Sequence, residues 1–536
     1  MVLPPATGQS PVTKRAAWNN RKFGCTLALF QIAFVVLFAV FVEYDWDALP
    51  FSKRIPDASN HRKTSANTTL DGASHSINDK DIRMQDRFSL RDYHSMYGDV
   101  QIMIFCAFGM LISCFKRYGY SSLGIAFVLA AFVVEWSTLM HGFFNLQNGK
   151  IPFSIVTLIS ADFAVAAVLI STCVILGTVS PLQYLMLAFM EVPFYSLNEW
   201  ICLKVLKVVD VGGSMYLHVF AAFFGLAVSV TIYRPKLFID ELNKLKFGSK
   251  WNELIAMVGT LILFIYWPSF NSVFAPADLQ NRAVINTAVS LLASCLGSFT
   301  ASSVFTKDKF SMTVIQNGAL AGGVVIGAVA DLMIQPYVAL LMGFSAGCIA
   351  VLGFLFVNPI VEKKLKIMDV CGVQYLHGMP GILAGLASAV VCGLATEEVY
   401  GSSFWEAFPA VVPPSSSPLY STLQTAYPEI KPGYGRTPAL QAAFQLLSLL
   451  VSVLIAVASG LFCGMILRLK YFDPHKQVDM FDDEYLWNIP RELSFDEEID
   501  VKEMIGKLEK MLVTQQSAYP VALKDQLRGL ESCLKG

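Results

Sequence analysis

Two histidines sit inside hydrophobic sequence, each closing the same nine-residue pattern, D-V-x-G-x-x-Y-L-H. One copy runs from Asp210 to His218 and the other from Asp369 to His377, at an offset of 159 residues. An ionisable ring at membrane depth is costly and by default marks a substrate or proton path. A neutral imidazole carries one donor and one acceptor, so two rings can bond each other and still present a polar edge to a small guest. The repeat gives one histidine to each half of the chain, which points to a pathway on the axis between the halves. The competing reading is a structural pair that ties helices together. Asp210 and Asp369 precede helix-opening glycines and are placed to cap their helices by accepting backbone N–H bonds. Asp210 would in addition lend negative potential to a cation entrance.

The elements that must hold these rings follow from composition. Of 536 residues, 54% are hydrophobic and only 15% charged, which is wrong for a soluble globular protein and right for a polytopic membrane protein. A net charge of −1 gives no footprint for nucleic acid. Eleven cysteines, most of them in apolar runs, imply no disulfide framework. Two histidines without further Cys or His ligands are too few for a metal centre, so neither a metal, a cofactor nor an enzyme is expected.

Apolar runs of spanning length predict an all-α membrane protein with about twelve transmembrane helices, near 25–43, 99–115, 121–146, 153–178, 181–205, 212–233, 251–270, 282–305, 312–332, 336–358, 378–397 and 438–468. The first run follows Lys14, Arg15, Arg21 and Lys22 and reads as a retained signal anchor. With the N-terminus inside, the even-numbered helices end beside Lys116 and Arg117, Arg234 to Lys250, Lys307 and Lys309, Lys363 to Lys366, and Arg468 and Lys470. That asymmetry puts both termini in the cytoplasm. The domains are then a cytosolic N-terminus, 1–24, a transmembrane domain, 25–468, and a cytosolic helical tail, 469–536. The external loop 44–98 carries the sequon Asn67-Thr68-Thr69, a glycosylation site. In the tail, Ser494 with Glu497 resembles a capping box, and apolar stripes begin at Val501 and Leu523. The tail either binds a cytosolic partner or packs under the membrane domain.

Helices 2–6 and 7–11 form two blocks of five. An odd block length turns the second copy upside down, so His218 descends from one leaflet as His377 rises from the other. Gly318 with Gly322, Gly323 with Gly327, and Gly381 with Gly385 are small-residue pairs suited to close helix packing.

Several strings resemble the Rhesus glycoprotein branch of the ammonium transporter superfamily. They are Ser160-Ala161-Asp162-Phe163, Ser180-Pro181-Leu182-Gln183, Asn198-Glu199, Gly212-Gly213-Ser214-Met215, Tyr266 to Ser272, Leu320-Ala321-Gly322-Gly323 and Leu376 to Gly381. They stand in family order over roughly residues 20–490, and the extra first helix with its sequon-bearing loop matches the Rhesus branch rather than the microbial one. The resemblance implies a homotrimer of independent pores in a plasma membrane. Each pore would have an outer vestibule, a phenylalanine gate at Phe163 and Phe270, and an apolar channel with His218 and His377 facing each other. The implied substrate is ammonia, recruited as ammonium. Glu199 is the candidate for drawing the cation into the vestibule, and Asn271 for bonding a guest beside the gate. Carbon dioxide is a second small guest that the same lumen would admit. A non-conducting Rhesus-type scaffold is the reading from another class, and the retained histidine pair argues against it. Glu135, Glu191 and Asp331 are acids in apolar segments without an assigned role, and His141 reads as a surface or vestibule residue.

Overall fold

Each apolar run of spanning length has to satisfy its backbone internally, and the described chain does so almost entirely as helix. The computed structural model describes residues 11–45, 48, 93–232, 246–306, 309–428, 430–476 and 479–489. The sequon at Asn67 and the tail motifs at Ser494, Val501 and Leu523 lie outside the described residues. Residues up to Trp487 form one compact unit; a second unit begins at Asn488.

Twelve helical passages can be followed among the described residues. They are α1 (Pro11–Phe41), α2 (93–111), α3 (Gly119–Phe143), α4 (Ile155–Val174), α5 (Pro181–Trp200, continued by Ile201–Val205) and α6 (Ser214–Ile232). Then come α7 (Lys250–Ser272), α8 (Ala277–Phe305), α9 (Met312–Ile326), α10 (Pro336–Leu365), α11 (Gln374–Gly393) and α12 (Pro438–Leu467). Nine of them are long and apolar enough to cross a membrane on composition alone; α2, α5 and α9 fall short. Two three-residue strands, β1 (Val42–Tyr44) and β2 (Ile151–Phe153), pair in parallel beyond α1 and before α4. We call the side on which α1 begins the N face. Passages α2–α6 and α7–α11 run in opposite senses, so the two blocks are inverted copies.

Several helix bounds differ from the sequence reading. Passage α9 stops at Ile326 rather than 332, because 327–331 is a run of turns. Passage α10 continues to Leu365, beyond 358, with Glu362, Lys363 and Lys364 in its last helical turn. Passage α2 is already helical at 93 and α8 begins at 277, each ahead of the bound that hydropathy gives.

Small residues draw the second block together. Ser290 Oγ and Ser294 Oγ of α8 donate to the carbonyls of Gly322 and Gly318 on α9, each at 2.7 Å. Gly343 and Gly347 of α10 lie flat against the backbone of Ser290 and Ser294, where any Cβ would collide. Outward faces stay apolar, as with Leu292 and Leu296 on α8 and Leu450 and Leu454 on α12. Passage α1 is peripheral and docks through Phe30 and Phe34 on Phe132, Trp136 and Phe189. Its Gln31 donates to Glu135 at 2.8 Å, which accounts for one of the unassigned acids.

Beyond α12 the chain crosses the N face as a strap. Phe472 O accepts from Ser180 Oγ, Phe481 N donates to Gly177 O, and Asp483 accepts from the first backbone N–H groups of α3, Tyr120 and Ser121. Asp483 thus caps α3 from 362 residues away. Burial pushes its carboxyl above the usual range, against the pull of those N–H bonds. The strap also grips α1: Arg15 pairs with Asp479 at 2.9 Å, Lys22 with Asp473 at 3.0 Å, and Asn19 donates to the Tyr485 hydroxyl.

Candidate functional site

The repeated motif folds in the same way in both halves. Gly213 and Gly372, the shared fourth residues, take left-handed backbone conformations with φ of 68° and 73°, which a side chain would strain. The chain then turns into a helix opened by a π turn, Ser214–Val219 in one half and Gln374–Gly378 in the other. Such a turn is under-wound and re-aims its side chains, a device common at functional sites. Each histidine sits within its π turn.

The aspartates hold these turns in register. Asp210 Oδ1 accepts from Ser214 N, and its Oδ2 from Met215 N and Tyr216 N. Asp369 does the same with Val373 N and Gln374 N. Both oxygens of Asp210 are engaged by the backbone of the turn and the residue is 3% exposed, which is the geometry of a helix cap. Each motif also bonds the end of the middle helix of the opposite block. Gly212 N donates to Gly327 O at 2.9 Å, and Val370 N to Val174 O at 3.0 Å.

These constraints bring His218 and His377 together. Their rings are nearly parallel, 13° apart, and the two Nδ1 atoms stand 3.1 Å from each other. One Nδ1 must donate and the other accept, so the rings hold opposite tautomers. The pair then carries one Nε2 acceptor and one Nε2–H donor. His218 Nε2 has no hydrogen-bond partner among the described residues.

Aromatic rings close one side of the pair. Phe163 of α4 stacks on Phe270 of α7 with centroids 4.0 Å apart and an angle of 7°, and Phe274 packs edge-on to Phe163. His218 lies 6.3 Å from Phe270 and 5.9 Å from Trp267. On the other side, His377 lines a cavity of about 390 Å³ on the N face, bordered by Glu253, Glu362, Asp369, Lys246, Asn317 and three cysteines, Cys114, Cys173 and Cys371. Rings, histidine pair and cavity follow in that order.

The remaining residues fall around this column. Asn271 is buried; its amide donates to Gly323 O and Thr287 Oγ1, while its Oδ1 has no partner among the described residues. Glu199 is held by His141, Nε2 to Oε2 at 2.8 Å, while His141 Nδ1 approaches Ser137 and Ser160. Glu199 is therefore a paired, half-buried carboxylate. Asp162, next to Phe163, turns to α2 and accepts from Gln101 at 2.6 Å. Glu191 is fully buried against Ser171 at 2.5 Å. Arg282 donates to the backbone carbonyl of Asp331 at 2.8 Å. Sequence reasoning missed Lys246, Glu253 and Glu362 as neighbours of the site: basic residues at helix ends speak there only for orientation, and the two acids carry no local signal.

An all-helical polytopic protein built from two inverted five-helix blocks, with buried polar groups where the blocks meet, has the architecture of a membrane transport protein. A profile of the Ammonium Transporter Family matches residues 92–485. Ammonium transporter Rh type B of Oryzias latipes is 39% identical over 474 residues, covering 88% of this chain and 93% of its own. Ammonium transporter Rh type C of Canis lupus familiaris is 38% identical over 482 residues, covering 89% and 96%. The solved structure of Nitrosomonas europaea Rh50 superposes with a TM-score of 0.62 at 25% identity, covering 80% of this chain and 99% of that one. Candida albicans Mep2 shares the fold, with a TM-score of 0.53 at 18% identity and coverage of 73% and 87%. The chain belongs to the ammonium transporter family, on its Rhesus-type branch.

Proposed function

We propose that this protein conducts ammonia, captured as ammonium, through the column formed by Phe163, Phe270, His218 and His377. The observation that carries this reading is the Nδ1–Nδ1 contact between two histidines supplied by inverted halves, set between stacked rings and an open cavity. The names of its relatives, ammonium transporters of Rh types B and C, support the substrate.

The chemistry follows from solvation. Taking a bare cation into an apolar passage costs on the order of several kcal/mol or more, so losing a proton is the cheaper course. Ammonia is at once donor and acceptor and suits a pair that offers one of each. The phenylalanine rings exclude hydrated ions yet can swing aside for a small neutral guest. Asn271, next to Phe270 in the chain, keeps its Oδ1 without a partner among the described residues, as an acceptor for an arriving N–H. Past His377, the acids around the cavity favour regaining the proton.

The basic residues at helix ends support an orientation with the N face in the cytoplasm and a multi-pass place in the plasma membrane. In this reading Glu199, on the outer side, contributes negative potential through its pair with His141. A homotrimer is the assembly that the family resemblance implies. Purified protein in liposomes, followed by internal pH on a stopped-flow instrument, tests the function. His218→Ala/His377→Ala is expected to change ammonia flux severalfold; unchanged flux in that variant would count against the histidines' role. A parallel carbon dioxide arm separates the two gases.

A further inference from the structure

The cavity beneath His377 contains an ammonium group of the protein's own. Lys246 Nζ lies 3.3 Å from Glu362 Oε1, and the two side chains are only 12% and 10% exposed. Lys246 is held there by its neighbours. Lys116 N donates to Phe247 O at 3.0 Å, and Ser249 caps α7 through Asn252 N. Its partner Glu362 stands on the final π turn of α10. The charged residues lining this cavity, among those described, are Glu253, Glu362, Asp369 and Lys246. Asp369 is committed to its two backbone N–H groups, which leaves Glu253 and Glu362 as the acids open to a cation, and Lys246 already sits on Glu362.

A lysine head group and an ammonium ion are the same recognition unit: a compact, strongly hydrated +1 charge with N–H donors. A carboxylate that holds one will hold the other, and a tether keeps the lysine at an effective concentration in the millimolar range or above. We propose that Lys246 is a built-in competitor for Glu362, which weakens the capture of ammonium from the N face and leaves capture from the opposite face untouched. The proposal rests on reading the cavity as one mouth of the conducting column. It makes Lys246 a determinant of sidedness.

The test is a two-sided saturation curve. Proteoliposomes of uniform orientation, selected by an affinity tag on one face, receive ammonium chloride from the N face or from the opposite face, and initial rates are fitted for half-saturation. Lys246→Met is expected to lower half-saturation from the N face by roughly three- to tenfold, as removal of a tethered competitor predicts, with no change from the other face. Lys246→Arg keeps the charge and is expected to retain the native asymmetry. Glu362→Gln is expected to raise half-saturation from the N face alone. If Lys246→Met is poorly folded by size-exclusion chromatography, Lys246→Gln serves in its place. A shift equal from both faces, or none with folded protein, overturns the proposal. Failure of the wild-type protein to conduct ammonia at all would instead sink the channel reading, so the two failures are distinguishable.

Discussion

Replacing Asp210 separates a cap from a recruiting charge. Its carboxylate accepts three backbone N–H groups, at 2.7, 2.7 and 3.1 Å, in a site 3% exposed to solvent. A buried donor left unpaired costs roughly 1–3 kcal/mol. Three at one helix end relax together, so Asp210→Ala should lose about 3–5 kcal/mol rather than the simple sum. Asp210→Asn keeps one acceptor, which can serve Met215 and Tyr216 but leaves Ser214 facing an amide; its loss should be roughly 1–3 kcal/mol. Asp369, with two such bonds, should lose about 2–4 kcal/mol as alanine. Because the midpoint shift per kcal/mol shrinks with chain length, Asp210→Ala should melt about 3–6 °C below wild type in detergent. Fluorescence-detected size exclusion across a temperature ramp reads this directly. The order wild type, Asp210→Asn, Asp210→Ala is the signature of a cap. An Asp210→Ala protein that melts like wild type and has merely lost ammonium affinity would refute the reasoning and restore a recruiting role.

Three further outcomes are expected. Gly343→Val sets a branched side chain against the Ser290 backbone and should destabilise by roughly 1–3 kcal/mol or more, read as a lower melting midpoint. Asp483→Ala removes the distant cap of α3, which leaves two N–H groups unpaired at a cost of about 2–4 kcal/mol, and should make the strap more sensitive to limited proteolysis while α7–α11 stay protected. Gln31→Ala breaks an exposed contact between α1 and Glu135; it should change stability by less than about 1 kcal/mol and leave ammonia flux at the wild-type rate.

How much of this was legible depended on whether a residue's role was local. The motif around His218 and His377 could be read from spacing alone, since the capping aspartate, the left-handed glycine and the histidine all act within nine residues. The inverted blocks followed from counting apolar runs. Phe163 and Phe270 could not be chosen among 39 phenylalanines by any physical rule; only the resemblance singled them out. The end of α10 was misjudged because Glu362 and Lys363 look like loop, whereas the helix outlasts its apolar face and turns Glu362 into a cavity. Glu135 needed α1 to explain it, and α1 needed the strap; neither contact leaves a mark in local sequence. The same applies to Lys246, whose meaning lies in a partner 116 residues away.

The strap has a consequence for synthesis. The groups that clasp α1, Asp473, Asp479 and Tyr485, are translated only after the twelfth helix. Through most of translation, α1 is held by its aromatic face, by Gln31 and by the bond of Lys150 to Val40 O, without the ion pairs of the strap. A ribosome that stops just past Leu467 releases a chain with α1–α12 made but α1 without its strap contacts and α3 uncapped. Quality control that samples loose helices in the membrane would therefore recognise such a product by its beginning, although the missing residues are at its end.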